Sequence, residues 1–273
     1  MIIDLHSHSS ASDGSLSPAE LVERARVAEV DVLSITDHDT VAGIMALDTT
    51  LTQGITLLPG IELSSRWNAI GVHIVGLNIA LDSPELHDGI ALQQHARHAR
   101  ASLIAARLVK KGFPDLLPGV LKVAGQSSPG RPHFAQQLIQ AGIVSSADEA
   151  FRKYLGAGKL GDIKSVWAPL EEVIGWVRAA GGTAVLAHPD KYRLTRTKLN
   201  ALMADFKAAG GEAIEVVSGH QSAEKTRNMA DLCKRSELLA SCGSDFHKPG
   251  LHWAEVGKHS TLPGDCRPVW DLW

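Results

Sequence analysis

The chain has 273 residues, of which 44% are hydrophobic and 21% are charged, and its formal net charge is −3. This composition is that of an ordinary globular protein long enough to bury a sizeable core, so disorder is not expected to carry its function. The slightly negative charge argues against a protein that coats nucleic acid nonspecifically, although it allows a local basic pocket.

Three cysteines, Cys233, Cys242 and Cys266, form an odd set without CxxC spacing. This pattern is typical of reduced thiols in a cytoplasmic protein, so we expect no disulfide and no disulfide-linked partner. The chain does not begin with a basic segment followed by an apolar one, and no stretch approaches the roughly 20 apolar residues that span a bilayer. We therefore expect a cytoplasmic location and no membrane partner.

Short apolar runs alternate with helical patterns along most of the chain. The first run, MIIDLH, precedes SPAELVERARVAEV, in which Ser17, Pro18 and Glu20 supply an N-cap, an N1 proline and a capping-box glutamate. Further strands are predicted at VDVLSITDH, GITLLPGIELS, GVHIVGLNI, TAVLAHP, EAIEVVS and LLASCGSD. This alternation is the signature of parallel βα units and predicts an α/β fold.

The middle of the chain breaks the alternation. PELHDGIALQQHARHARASLIAARLVKKG predicts a long helix, and strand-like runs are scarce between residues 84 and 166. We interpret residues 84–166 as a mostly helical insertion, and residues 1–83 and 167–273 as the two parts of one catalytic domain. TKLNALMADFKAAGG and SAEKTRNMADLCKRSE predict the remaining crossover helices.

Side chains that bind metals follow the predicted strands where each strand ends. Parallel strands present their carboxyl ends on one side, so these side chains are expected to converge. Alternate residues of a strand share a face, which lets His6 and His8 bind one centre. The other candidates are His38, Glu62, His73, His188, Asp245 and His247. Without cations such groups would repel each other or stay unpaired, so we predict a multinuclear metal site.

Imidazole and carboxylate ligands without thiolate suit Mn, Fe or Zn at a catalytic site. Two or more such ions about 3.5–4 Å apart clamp the oxygens of a phosphoryl group during in-line displacement. Asp13 is either a ligand or a turn residue beside Gly14. Two candidate catalytic residues each have two interpretations. Asp37 either fixes the His38 imidazole or is a loop carboxylate. His220 either reaches the leaving group or lines the rim of the core.

With DLHSHSSASDG, TDHDT, GIE, GVHIVG, AHP and GSDFH in this order, the chain resembles the PHP (polymerase and histidinol phosphatase) family of metal-dependent phosphoesterases. The resemblance runs from residue 4 to residue 247. It implies a distorted (β/α)7 barrel with a trinuclear site, in which Mn is the expected metal and Fe and Zn are alternatives. It assigns one ion to His6, His8, Glu62 and Asp245, a second to Glu62, His73 and His188, and a third to Asp13, His38 and His247. Some relatives have His at the position of Asp13.

The insertion, with GRPHFAQQL, further resembles the RNase AM subgroup, which removes a phosphate from nucleoside 3′,5′-bisphosphates and trims short RNA from the 5′ end. The implied substrates are a nucleotide with two phosphates, such as 3′-phosphoadenosine 5′-phosphate (pAp), and the 5′ ends of short RNA. Arg131 and His133 are the implied phosphate contacts, through a guanidinium fork and an imidazolium. Alternatively, these two residues only begin a helix.

Two other functions are compatible with the same ligands. A histidinol-phosphate phosphatase would share the metal site, and the chain could instead be a noncatalytic metal-binding or regulatory domain. The presence of a suitable side chain at every ligand position argues against the noncatalytic alternative.

Overall fold

The computed structural model describes residues 1–48 and 54–273 of the chain. These residues divide into two compact units. Unit 1 comprises Met1–Ile90 together with Ala168–Trp273, and unit 2 comprises Ala91–Trp167. None of the helices described is both long enough and apolar enough to cross a membrane.

Unit 1 is a mixed α/β structure with two sheets. In the first sheet, β1 (Ile3–Asp4), β2 (Val32–Leu33) and β3 (Thr56–Leu57) are parallel and lie in this order. The second sheet contains, in order, β4 (Gly60–Trp67), β5 (Ile70–Leu77), β6 (Thr183–Leu186), β7 (Ala213–Ser218) and β8 (Leu239–Gly243). Isolated parallel bridges join Ser7 to Phe246 and His38 to Glu62.

The second sheet corrects the prediction of purely parallel βα units. β4 and β5 form an antiparallel hairpin, β5 is antiparallel to β6, and β6, β7 and β8 are parallel. Asn68 at the hairpin turn has φ 53°, a left-handed conformation that Asn tolerates. The run GITLLPGIELS, predicted as one strand, contains β3 and the first part of β4. Pro59 lies between them and has no N–H to donate to a ladder.

The helices follow the sequence patterns closely. Ser17 and Glu20 form the predicted capping box at the first helix, in which the Glu20 carboxylate accepts from the Ser17 N–H at 2.8 Å. The predicted long helix and both late crossover helices are also present, at 84–110, 196–208 and 223–235. In chain order the helices are α1 (Pro18–Val27), α2 (Ala42–Met45), α3 (Pro84–Lys110), α4 (Leu117–Ala124), α5 (Arg131–Gln140), α6 (Ala147–Ala150), α7 (Leu170–Ala179), α8 (Arg196–Ala208) and α9 (Ala223–Arg235).

The largest core of unit 1 lies between the second sheet and the helices α7, α8 and α9. Ile61, Ile74, Val177, Phe206 and Ile214 are fully buried in it. Burying such a side chain stabilises a fold by about 1.5–3 kcal/mol. This core therefore holds firmly the strands whose ends carry the candidate ligands.

Unit 2 has its own apolar core. Leu108, Val120, Phe134, Leu138 and Leu155 are fully buried there, and the described residues 91–167 contain helices and no strand.

Candidate metal centre

Glu62, near the start of β4, lies at the centre of a cluster of histidine side chains and is 1% exposed. Its Oε1 lies 2.8 Å from His73 Nδ1 and 3.0 Å from His188 Nε2. The nitrogens around its Oε2 are His38 Nδ1 at 2.9 Å, His6 Nε2 at 3.3 Å and His8 Nε2 at 3.3 Å. The two oxygens of one carboxylate thus face two different sets of imidazoles.

Asp245 follows β8 and faces the two histidines that follow β1. Its Oδ1 lies 3.4 Å from His8 Nε2 and 3.6 Å from His6 Nε2, and its Oδ2 pairs with the ammonium of Lys191. The two Nε2 atoms of His6 and His8 are 3.1 Å apart. The spacing of two residues therefore brings both imidazoles to one point, as the sequence predicts.

Asp13 lies in a turn that brings it to His38 and His247. Its Oδ1 is 3.4 Å from His247 Nε2, and its Oδ2 is 3.8 Å from His38 Nε2. The turn depends on Gly14, because a Cβ at this position would lie only 2.3 Å from the carbonyl oxygen of His8. Asp13 is thus beside a turn glycine and within reach of the histidine cluster, so the two interpretations of this residue are compatible.

Two of the candidate ligands have a left-handed backbone conformation. His188 has φ 32° and Asp245 has φ 54°, in a region that residues other than glycine adopt only in a small fraction of cases. Such conformations persist where the surrounding structure enforces them, commonly at functional sites.

Three sets of side chains bring ligand atoms within 4.8 Å of one another in the described part of the chain. The sets are His8 with Asp13, His38 and His247; His6 with His8 and Asp245; and His38 with Glu62 and His73. The first of these sets contains the three residues predicted for the third ion together with His8. The set around Glu62 and His73 contains His38, and His188 Nε2 also lies 3.0 Å from Glu62 Oε1.

The chemistry of this cluster fits divalent metal ions. Glu62 Oε2 and Asp13 Oδ1 are buried, and no described residue donates a hydrogen bond of good geometry to either. A buried carboxylate oxygen in this state is costly unless a cation lies beside it. The donors are imidazole nitrogens and carboxylate oxygens without thiolate, which suits Mn, Fe or Zn.

The electrostatics of the cluster hold several of the ligands in the form that binds metal. Burial lowers the pKa of His8 to about 3 and that of His73 to about 4. Burial raises the pKa of Glu62, but the surrounding histidines outweigh it and hold the pKa well below its usual range. For His247 burial is outweighed by Asp13, which raises the pKa to about 9. His8 and His73 are therefore neutral and Glu62 is ionised at neutral pH, as metal ligands must be.

Glu215, on β7, is a site residue that the sequence analysis did not identify. It is 2% exposed, its Oε1 accepts from His6 Nδ1 at 2.6 Å, and its Oε2 accepts from the backbone N–H of His188 at 2.6 Å. The available signal was an acidic residue in the middle of the apolar run EAIEVVS, since a carboxylate is seldom buried without a partner.

Asp37 accepts hydrogen bonds from the loop of residues 9–13 that follows β1. Its Oδ1 accepts from the Ser9 N–H at 2.7 Å and from Ser12 Oγ at 2.6 Å, and its Oδ2 accepts from Ser9 Oγ at 2.6 Å. These bonds match the second of the two interpretations of Asp37, that of a loop carboxylate. Asp37 orders the loop that carries Asp13.

His220, after β7, is exposed and lines a cavity of about 470 Å³. His188, Asp245 and His247 also line it, so one wall of this cavity is shared with the candidate metal centre. We call it the His220 cavity.

Arg131 and His133 lie in unit 2 at the start of α5. His133 Nδ1 accepts from the Gly130 N–H at 2.9 Å, so the ring caps the helix, and Arg131 donates to the Leu155 carbonyl at 3.3 Å. A nitrogen that accepts a hydrogen bond carries no proton, which corrects the expected imidazolium to a neutral ring with its proton on Nε2.

A family model of the PHP domain matches residues 4–156. The chain belongs to the PHP family. It is 41% identical to the 5′-3′ exoribonuclease Rnm of Escherichia coli over 276 residues, which cover 100% of this chain and 94% of that protein. It is also 41% identical to the 3′,5′-nucleoside bisphosphate phosphatase of Chromobacterium violaceum over 270 residues, which cover 98% and 95% of the two chains.

The fold of this PHP protein is similar to that of a solved structure from Chromobacterium violaceum, described as an amidohydrolase with bound sulfate and no metal. The two structures superpose with a TM-score of 0.91 at 40% identity, over 100% of this chain and 95% of the other.

Proposed function

We propose that this PHP protein is a metal-dependent phosphoesterase that hydrolyses the 3′-phosphate of nucleoside 3′,5′-bisphosphates, converting pAp to AMP and phosphate. It also removes nucleotides one at a time from the 5′ end of short 5′-phosphorylated RNA. The observation that carries this proposal is the cluster of imidazoles and carboxylates around Glu62. The proposal is supported by sequence identity of 41%, over nearly the whole chain, to proteins that are named for these two activities.

The cluster is assigned three divalent ions, with Mn as the expected metal. The first ion would be held by His6, His8, Glu62 and Asp245, the second by Glu62, His73 and His188, and the third by Asp13, His38 and His247. The orientation of Glu62 supports its place in two of these sets, because its two oxygens face different sets of histidines. When bound, the ions neutralise the phosphoryl oxygens and activate water.

The protein itself contributes orientation and charge. Glu215 fixes the ring of His6 so that Nε2 faces the cluster. Lys191 places an ammonium beside Asp245, at the edge where a phosphate dianion would arrive. Arg131 contacts the 5′-phosphate through its guanidinium fork, and His133 contributes its Nε2 proton.

The domain organisation that goes with this function is a catalytic barrel of residues 1–83 and 167–273 and an insertion of residues 84–166 that binds substrate. The barrel is of the distorted (β/α)7 type, and the parallel bridges Ser7–Phe246 and His38–Glu62 support this assignment. A cytoplasmic location is proposed with it, supported by the free and buried thiols of Cys233, Cys242 and Cys266.

The first experiment compares substrates of the Mn²⁺-loaded protein. We expect kcat/KM for pAp to exceed that for histidinol phosphate, and short 5′-phosphorylated RNA to be shortened from its 5′ end. Faster turnover of histidinol phosphate would reject the nucleotide assignment. His8→Ala and Asp245→Ala should abolish hydrolysis while the circular dichroism spectrum stays that of the folded protein. Full activity in either variant would reject the site.

A second experiment tests Arg131. Arg131→Ala should lower kcat/KM for pAp at least about tenfold, since a charged hydrogen-bonding partner of the 5′-phosphate is lost. Turnover of 3′-AMP, which lacks a 5′-phosphate, should change far less. Arg152→Ala is the matched control, because Arg152 is an exposed arginine of the same unit. An equal loss on both nucleotides would show that Arg131 does not read the 5′-phosphate.

A further inference from the structure

We propose that the His220 cavity binds the second nucleoside of a 5′-phosphorylated RNA, the one on the far side of the scissile phosphate from the first nucleotide. This inference rests on the proposed function and deepens it. A nucleoside bisphosphate has no group at this position, so the cavity would serve the exonuclease activity and not the phosphatase activity.

The cavity lies where a group attached to the reacting phosphate can enter it. The residues that follow β6, β7 and β8 line it, and it shares His188, Asp245 and His247 with the candidate metal centre. Its volume of about 470 Å³ is in the range of pockets that take small organic ligands. A substituent on a phosphate held at the cluster therefore has an adjoining pocket.

The walls of the cavity suit a nucleoside. Trp253 lines it with a side chain that is 60% exposed, and its backbone carbonyl accepts from the His220 N–H at 2.6 Å. The backbone of Trp253 is thus anchored while much of its indole ring is exposed to solvent. An exposed aromatic ring can stack on any base. Ser218 also lines the cavity, and its buried Oγ has no hydrogen-bond partner among the described residues. A ligand with polar edges would supply that partner.

The charges at the rim allow a following phosphate. Lys225 lines the cavity and pairs with Asp190 at 2.8 Å, with side chains 55% and 37% exposed. Exposed pairs of this kind are weak, so Lys225 can turn to a phosphate of the substrate at little cost. Lys191, paired with Asp245, is the second ammonium in the lining.

The lining also indicates which nucleoside enters. The residues proposed to hold the 5′-phosphate, Arg131 and His133, belong to unit 2, whereas the described lining of the cavity comes from unit 1 alone. The first nucleotide is thus accounted for by other residues. In the hydrolysis, water adds to phosphorus and the bond from phosphorus to the 3′-oxygen breaks. That oxygen leaves with a proton as the 3′-hydroxyl of the first nucleotide, and the phosphate stays on the 5′-oxygen of the second nucleoside.

The experiment compares the dinucleotide pApA with pAp on the Mn²⁺-loaded enzyme. In Trp253→Ala the ratio of kcat/KM for pApA to kcat/KM for pAp should fall about tenfold, from the loss of one base-stacking contact. Trp253→Phe should restore most of the ratio. Trp273→Ala, which removes another partly exposed tryptophan, should keep the wild-type ratio.

A second measurement does not depend on turnover. Wild-type protein in EDTA is irradiated with an RNA that carries 4-thiouridine at its second position, and the crosslinked peptides are identified by mass spectrometry. We expect crosslinks in residues 218–229 or 251–254, and none there when 4-thiouridine is at the first position. An unchanged pApA-to-pAp ratio in Trp253→Ala, an equal loss on both substrates, or crosslinking there from the first position would overturn the inference. Failure of the wild-type protein to hydrolyse pAp and pApA would instead reject the proposed function.

Discussion

The Nδ1 of His6 donates a hydrogen bond of 2.6 Å to Oε1 of Glu215, and both side chains are fully buried. The bond fixes the orientation of the His6 ring, because Nδ1 is held by Glu215 and Nε2 faces Asp245 and Glu62. Burial lowers the pKa of His6, but these three carboxylates outweigh it and hold the pKa well above its ordinary value, so a metal ion displaces the proton on Nε2. The other oxygen of Glu215 accepts from the N–H of His188, whose backbone is left-handed. One carboxylate on β7 therefore orients two candidate ligands that lie on different strand ends.

This arrangement predicts the behaviour of Glu215→Gln. The amide keeps the shape of the side chain but loses the charge, so Mn²⁺ affinity should fall about 10- to 100-fold. Activity should be recovered largely by adding more Mn²⁺. The measurements are calorimetric titration of the metal-free protein and activity as a function of Mn²⁺ concentration.

Glu212→Gln is the matched control for this change. Glu212 is exposed and lies just before β7, so metal affinity should stay at the wild-type value. Wild-type affinity in Glu215→Gln as well would show that the carboxylate has no role in orienting the ligands.

The buried carboxylate of Asp37 should stabilise the folded protein through its hydrogen bonds to the loop of residues 9–13. It accepts three hydrogen bonds from Ser9 and Ser12, and Asp37→Asn replaces one acceptor oxygen by a donor. We expect a loss of about 1–3 kcal/mol in the free energy of unfolding, because a buried group is left without its partner. Urea unfolding of the metal-free protein measures it, and Asp82→Asn, at an exposed position, is the control. Equal midpoints for the two variants would contradict this role.

The local patterns predicted much of the site. His6 and His8 converge through the period of two of extended backbone, which continues past β1 around the bridge residue Ser7. The polar residues after the later strands meet because β6, β7 and β8 are parallel. The capping box of α1 is a local interaction between Ser17 and Glu20, so the sequence contains all of the information needed for it. Such features depend on residues close together in the chain.

Features set by distant residues could not be predicted. The antiparallel pairing of β4 with β5 depends on a short turn at Asn68 inside a run that also reads as two separate parallel strands. The role of Glu215 depends on His6, which is 209 residues away. The hydrogen bonds that Asp37 accepts from Ser9 and Ser12 likewise join segments that the pairing of β1 with β2 brings together.

The buried thiols should be inert in the folded protein. Burial raises the pKa of Cys233 to about 12 and also raises the pKa of Cys242. Alkylation requires the thiolate, so iodoacetamide at pH 8 should leave both unmodified in the native protein and modify both in urea. Mass spectrometry of tryptic peptides provides the readout, and rapid native labelling of Cys233 would contradict its burial.

The stability of the metal-free protein should decrease as the solution is acidified below about pH 6.5. The folded-state pKa values of His8 and His73, about 3 and about 4, lie below the value of about 6.5 for an unfolded histidine. The unfolded chain therefore binds more protons between pH 6.5 and 4, and protonation favours unfolding. His247, with its pKa raised to about 9, acts in the opposite direction and loses its contribution as the pH rises through 9.

In EDTA, the melting temperature should thus be highest near pH 6.5. His73→Asn should reduce by about one the number of protons that the protein takes up on unfolding between pH 6.5 and 4. His95→Asn, at an exposed helical position, should leave this number unchanged. A melting temperature that rises from pH 6.5 to 4 would contradict the neutral state of these buried imidazoles.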